Sequence, residues 1–214
     1  MRTVVVLMLV VVVLAFAGCG SAAPPGPRPG DLAARRGDEI MVAGKLFHTG
    51  APVVLWTDPG GYDAYRVERR FTRPEEAGWD RAQGSLASPN RYGRRLTGDP
   101  ARDERIWREG WTLEDLRGVV DQFVLHYDVA GTSRTCFRVL HDVRGLSVRF
   151  LLDVDGTIYQ TLDIKERAWH ATRANNRSVG VEIAHIGAYP EVDRGPSAAW
   201  YGPDGAGGVR LTIP

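Results

Sequence analysis

The sequence predicts an α+β domain in which helices flank a mixed β-sheet. Three features carry that expectation. Apolar runs of strand length recur at Val119–Val129, Ser147–Leu152, Thr157–Leu162 and Val179–Ala184. Between the first two, Cys136, Val139, Leu140 and Val143 fall at i, i+3, i+4 and i+7, the stripe of a helix with one buried face. The pair Asp155-Gly156 then marks a tight turn that folds one strand back on the previous one. A strand, a helix, a hairpin and a further strand make a sheet that needs helices packed on it.

The elements follow in chain order. Met1–Cys19 has one early Arg2, an apolar run from Val4 to Ala17 and small residues before Cys19, the layout of an export signal. The run is shorter than the ~20 apolar residues of a membrane-spanning helix. Its ending, Phe16-Ala17-Gly18-Cys19, resembles a bacterial lipobox, which implies acylation of Cys19 and an exported, membrane-anchored lipoprotein. Gly20 stands where an Asp often retains such proteins at the inner membrane, so the periplasmic face of the outer membrane is expected. Residues 20–39 are rich in Pro, Gly and Ala and read as a tether. Residues 40–110 read as an N-terminal extension with short strands within Lys45–Trp56. A charged, Pro- and Gly-broken stretch follows from Arg66 to Gly110, with a helix near Ala101–Arg108.

Residues 111–214 hold the organised part. Thr112 with Asp115 three residues on forms a capping box for a short helix. Thr132 or Ser133 caps the striped helix, and Gly145 ends it. Asn175–Ser178 is a turn into the last strand. Over the whole 214 residues, 43% hydrophobic and 25% charged content is ordinary for a globular protein. A net charge of +1 argues against a nucleic-acid partner. A monomer is expected. With Cys19 acylated, Cys136 is the only other cysteine, so no internal disulfide forms.

The chemistry must come from few residues. Of the five histidines, His48 has no partner pattern and His141 falls opposite the apolar stripe, so it is expected in solvent. His126 and His170 end short apolar or aromatic stretches, and His185 follows Val181-Glu182-Ile183. His126 could be a satisfied core residue, a metal ligand or a base. Glu182 interrupts an apolar strand. It is either an edge-strand residue facing solvent or a buried carboxyl of the kind that general acid/base chemistry uses. Cys136 lies on an apolar helix face and reads as structural rather than nucleophilic. No HExxH, CxxC or GxSxG pattern is present.

Four ordered blocks, QFVLHYDVAG, GLSVRFLLDVDGTIYQTLD, AWHA and NNRSVGVEIAH, resemble the N-acetylmuramoyl-L-alanine amidase family, which includes the peptidoglycan recognition proteins. The likeness runs from Val119 to Gly187, and the signal and tether point to its lipoprotein-anchored branch. It implies a mixed sheet with a groove for peptidoglycan or muropeptides, and hydrolysis of the amide between N-acetylmuramic acid and the L-alanine of the stem peptide. It implies a Zn2+ cofactor with His126 as first ligand and Glu182 as catalytic acid/base. Trp169, His170 and Asn176 match positions that shape the substrate groove. Val148 stands where phage-type members place a Tyr, which leaves the proton transfer to Glu182, and Arg149 stands where the family usually has His. The family's second and third ligands, a His and an Asp or Cys, lie further on, yet no His follows His185. The chain is therefore expected to be a C-terminally truncated amidase. The alternative is a peptidoglycan-binding lipoprotein without a complete zinc site.

Overall fold

The computed structural model describes residues 35–66, 70–71, 92–190 and 195–213. The signal, Cys19 and most of the tether lie outside these residues. Among the described residues no helix is long and apolar enough to cross a membrane.

The described chain opens with a hairpin of β1 (Glu39–Val42) and β2 (Lys45–His48), followed by β3 (Val53–Leu55) and β4 (Tyr92–Arg94). Helix α1 (Pro100–Glu109) starts where the Asp99 carboxylate accepts the amides of Ala101 and Arg102 and Pro100 supplies a preset first turn. Helix α2 (Leu113–Arg117) carries the expected capping box between Thr112 and Asp115. Arg102 and Arg105 both reach the Asp115 carboxylate and tie the two helices together.

Strand β5 (Gln122–Tyr127) leads into α3 (Ser133–Phe137), capped by Thr132, which continues as a π-helical segment over Arg138–Val143. Then come β6 (Phe150–Leu152), β7 (Ile158–Gln160), β8 (Glu166–Ala168), a 3-10 turn over Thr172–Ala174 and β9 (Ser178–Ile183). The described chain closes with α4 (Gly195–Trp200) and a hairpin of β10 (Tyr201–Pro203) with β11 (Val209–Leu211).

Among the described residues the central sheet has five strands, in the order β3-β7-β6-β9-β5. It is mixed, as expected: β5 and β6 run parallel to β9, β3 parallel to β7, and β6 antiparallel to β7. The stretch 40–110, expected as an extension ahead of the domain, supplies β3 to this sheet, and β4 pairs with β8. The extension is thus built into the domain, because apolar Val53 and Leu55 are buried there.

The striped helix differs from the straight α-helix that its sequence predicts. Its second half is wound wider, with the Arg144 amide bonding the Val139 carbonyl five residues back. Widening the turn rotates the last residues. Leu140, His141 and Asp142 become buried while Val143 is left exposed. Gly145, at φ 64°, then ends the segment, and the Leu146 amide closes onto the Leu140 carbonyl.

Side-chain alternation divides the sheet into two faces. Register places Ser178, Gly180 and Glu182 on the same face as Val124, His126 and Leu151. That face carries the main core, formed with Tyr62, Cys136, Phe137, Leu140 and Leu162. The other face holds Phe150, Val179 and Val181, with Phe123 and Leu125 on the edge strand.

Candidate functional site

His126 is the next-to-last residue of β5 and Glu182 the next-to-last of β9, and the parallel register sets them side by side. Both project from the covered face at the C-terminal ends of adjacent parallel strands. A cavity of about 450 Å3 opens there, lined by His126 and Glu182 with Asp128, Cys136, Leu140 and Arg144. The solvent-facing alternative for Glu182 is set aside by its burial, at 9% exposure.

Burial penalises the charged form of Glu182, and the nearby Asp128 carboxylate adds repulsion. Arg144 offsets only part of this, so the carboxyl is pushed up to about 7. A carboxyl poised there is divided between its two forms near neutral pH. It can therefore take a proton and return it within one reaction cycle.

Burial also lowers the proton affinity of His126, which favours neutral imidazole. Its Nε2 lies 2.9 Å from Nδ1 of His170, with the rings edge to face. The other nitrogen of His170 lies 3.1 Å from the Ser178 hydroxyl. His170 is pushed down to about 3, first by burial and then by the positive charge of Arg149, with smaller contributions from His126, when protonated, and Arg95. Its ring lies directly over Gly180. A Cβ at that position would sit 2.5 Å from the imidazole, so only glycine leaves room.

Asn175 holds the loop that presents His170. Its Oδ1 accepts the amides of both His170 and Ala171, at 3.0 and 2.7 Å, and it is buried. This residue was missed from sequence. The available signal was its place in the turn before β9, where Asn readily bonds to nearby backbone. Asp128 and Arg144 were missed as well. They tune Glu182 from segments whose patterns carry no distinguishing mark.

Two buried arginines lie behind the site. Arg149 precedes β6, is fully buried and donates through Nη2 to the Glu166 carbonyl, while its Nε and Nη1 have no partner among the described residues. Arg95 donates to the carbonyls of Ile164, Asn176 and Ser178 and so staples the start of β9.

The remaining candidates lie elsewhere. Neither Trp169 nor Asn176 lines the His126–Glu182 cavity. The Arg167 guanidinium stacks over Trp169, 4.7 Å from its ring centre. Asn176 bonds both ways with the backbone of Leu96, at 2.8 and 2.7 Å, and anchors the chain after β4. His141, expected in solvent, is instead buried. The wide turn carries it inward, where it bonds Asp142 and the Arg66 carbonyl and stacks on Phe137. His48 does have a partner, since its Nδ1 lies 2.8 Å from Asp38. Cys136 is buried, and burial raises its thiol far above the ordinary range, so it is no nucleophile.

A catalytic zinc needs three protein ligands and an open position. No two His, Cys, Asp or Glu among the described residues join His126 in a set of three ligand atoms within 4.8 Å of one another. The set that meets this spacing is Asp38, Glu39 and His48 on the first hairpin. There the Glu39 carboxylate already accepts the amides of Arg36 and Gly37, and Arg35 lies 3.5 Å from it. These contacts describe a clamped hairpin rather than a cation site. At His126 the described residues therefore do not fit a complete zinc set.

Compared with known proteins, residues 116–202 match the model of the N-acetylmuramoyl-L-alanine amidase family. The matched segment runs from α2 through β10 and contains His126, His170 and Glu182. No curated protein matches the chain.

Proposed function

We propose that this domain, a member of the N-acetylmuramoyl-L-alanine amidase family over residues 116–202, hydrolyses the amide between N-acetylmuramic acid and L-alanine in peptidoglycan or muropeptides. The observation that carries the reading is Glu182, a buried carboxyl pushed up to about 7 and facing the cavity beside His126. Glu182 takes a proton from the attacking water as the water oxygen adds to the lactyl carbonyl carbon. The carboxyl then returns that proton to the L-alanine nitrogen as the carbon–nitrogen bond breaks, leaving a carboxylate and a free amine.

Zinc is the metal typical of the family, and His126 is the residue that would serve as a ligand. Because the described residues do not complete a ligand set around it, no step is assigned to the metal. That same observation favours a second reading, a muropeptide-binding site without turnover. The two separate in one experiment. Purified protein is incubated with muropeptides, and released stem peptide is followed by mass spectrometry, beside a measurement of bound zinc. Peptide release by the wild type and none by Glu182→Gln supports hydrolysis. Muropeptide binding with no release by the zinc-loaded wild type supports the binding role.

The layout of Met1–Cys19 supports export and lipid anchoring through Cys19. Metabolic labelling with a fatty-acid probe tests this, and loss of label in Cys19→Ala is the expected result.

A further inference from the structure

We propose that His170 is a positioning residue that holds His126 in its Nε2–H tautomer, so that the Nδ1 lone pair of His126 is the atom presented to the cavity. The inference rests on the reading of His126 as a functional nitrogen in an amidase site.

Three placements carry it. His126 Nε2 is engaged by His170 Nδ1 at 2.9 Å, which leaves Nδ1 as the nitrogen available to the cavity. His170 is itself fixed at its other end, where Nε2 meets the Ser178 hydroxyl at 3.1 Å. Gly180 leaves the space in which the His170 ring lies, and Asn175 grips the backbone on both sides of that ring's Cα. A histidine so confined cannot reorient to suit a neighbour; the neighbour must suit it.

The chain of two rings and a hydroxyl has two self-consistent proton arrangements. In one, His126 donates Nε2–H to His170 Nδ1, and His170 donates Nε2–H to the serine oxygen. In the other every proton moves one place, and both rings become Nδ1–H. The first puts both histidines in the tautomer that is the more stable form of a neutral histidine side chain. It also leaves a lone pair, rather than an N–H, on the Nδ1 of His126. The family resemblance implies a groove position for His170; its contacts set its ring against the Nε2 side of His126.

The test is the tautomer itself. The full chain is labelled with 15N-histidine, and long-range proton–nitrogen correlation spectra assign each ring, with His126 identified by the signal lost in His126→Gln. The expected result is an Nε2–H pattern for both His126 and His170 at pH 7.5. An Nδ1–H pattern for His126 overturns the proposal in the wild type, whether or not any variant folds. His170→Ala and Gly180→Ala, each removing the grip in a different way, are expected to convert His126 to a mixture of tautomers. His170→Gln, which keeps an acceptor and a donor, is expected to restore part of the Nε2–H signal. An unchanged His126 pattern in His170→Ala also overturns the proposal. None of these readouts depends on turnover. An Nε2–H pattern in a protein that cleaves nothing would leave the tautomer lock standing and remove the amidase reading, whereas cleavage with an Nδ1–H pattern would do the reverse.

Discussion

The two faces of the central sheet are built from the same alternating strands, yet they end in different surroundings. On one, Leu151 is fully buried beneath α3 and the π-helical segment, and Glu182 sits at the rim of that cover. On the other, Phe123 and Leu125 are each 64% exposed. The β1–β2 hairpin covers part of this second face, where the Met41 backbone bonds the Gln160 side chain and Ile40 packs against Phe150, Val179 and Val181. Toward β5 a cavity of about 330 Å3 remains, lined by Phe123, Leu125, Phe150, Leu152, Val181 and Ile183. The contrast teaches why the chemistry lies where it does. A carboxyl is pushed up only where burial strips its water, and only the covered face provides that. An apolar surface in contact with water offers neither the desolvation nor fixed neighbours.

Four measurements bear on this contrast. The largest effect is expected on the covered face, where Glu182→Gln lowers peptide release by about 10²–10⁴-fold, the usual contribution of a positioned proton-transfer group. In the wild type, release rises with pH up to about 7 as Glu182 ionises, then levels off. A pH profile with no inflection near 7 would remove Glu182 as the base. Next is Leu151→Ala, expected to cost about 2–5 kcal/mol in denaturant unfolding, since a fully buried leucine leaves a cavity.

Third is the stability linkage of Glu182. Its folded pKa is raised above the ordinary value of 4.5, so its stabilising share is present at low pH and lost as pH rises through about 7. Glu182→Gln and wild type should then unfold alike at about pH 4, below the unfolded pKa, while at pH 8 the variant is more stable by about 1–3 kcal/mol. Equal stability at both values would show that the carboxyl is not desolvated. The smallest effect belongs to the open face. Leu125→Ser is expected to change stability by less than about 0.5 kcal/mol and to leave peptide release unaltered. A loss beyond about 1 kcal/mol would mean that this face is covered in solution and that the contrast between the faces fails.

Much of this was legible in the residues. The capping box at Thr112 and Asp115, the Asp155-Gly156 turn and the strand around Glu182 are local, and each is set by the chemistry of a few neighbours. Cys136 on its apolar stripe was legible as a buried thiol for the same reason. His141 was not. Its burial depends on a wide helical turn that the spacing of Cys136, Val139, Leu140 and Val143 does not announce. Nor was the role of 40–110, because β3 joins β7 across about 100 residues, and no local pattern names the partner of an edge strand.

The sequence by itself determined the class of the fold, the place of His126 and Glu182 on strands, and the alternation that puts each on a face. Those depend on periodicity and on short-range backbone chemistry, which the chain carries wherever it goes. Only the tertiary structure decided that the two lie side by side, because parallel pairing of β5 with β9 brings together residues 56 positions apart. It alone decided that Glu182 loses its water, that His170 turns its ring over Gly180 toward His126, and that Phe123 and Leu125 keep theirs exposed. Burial is a property of what packs above a residue, and the cover comes from distant parts of the chain.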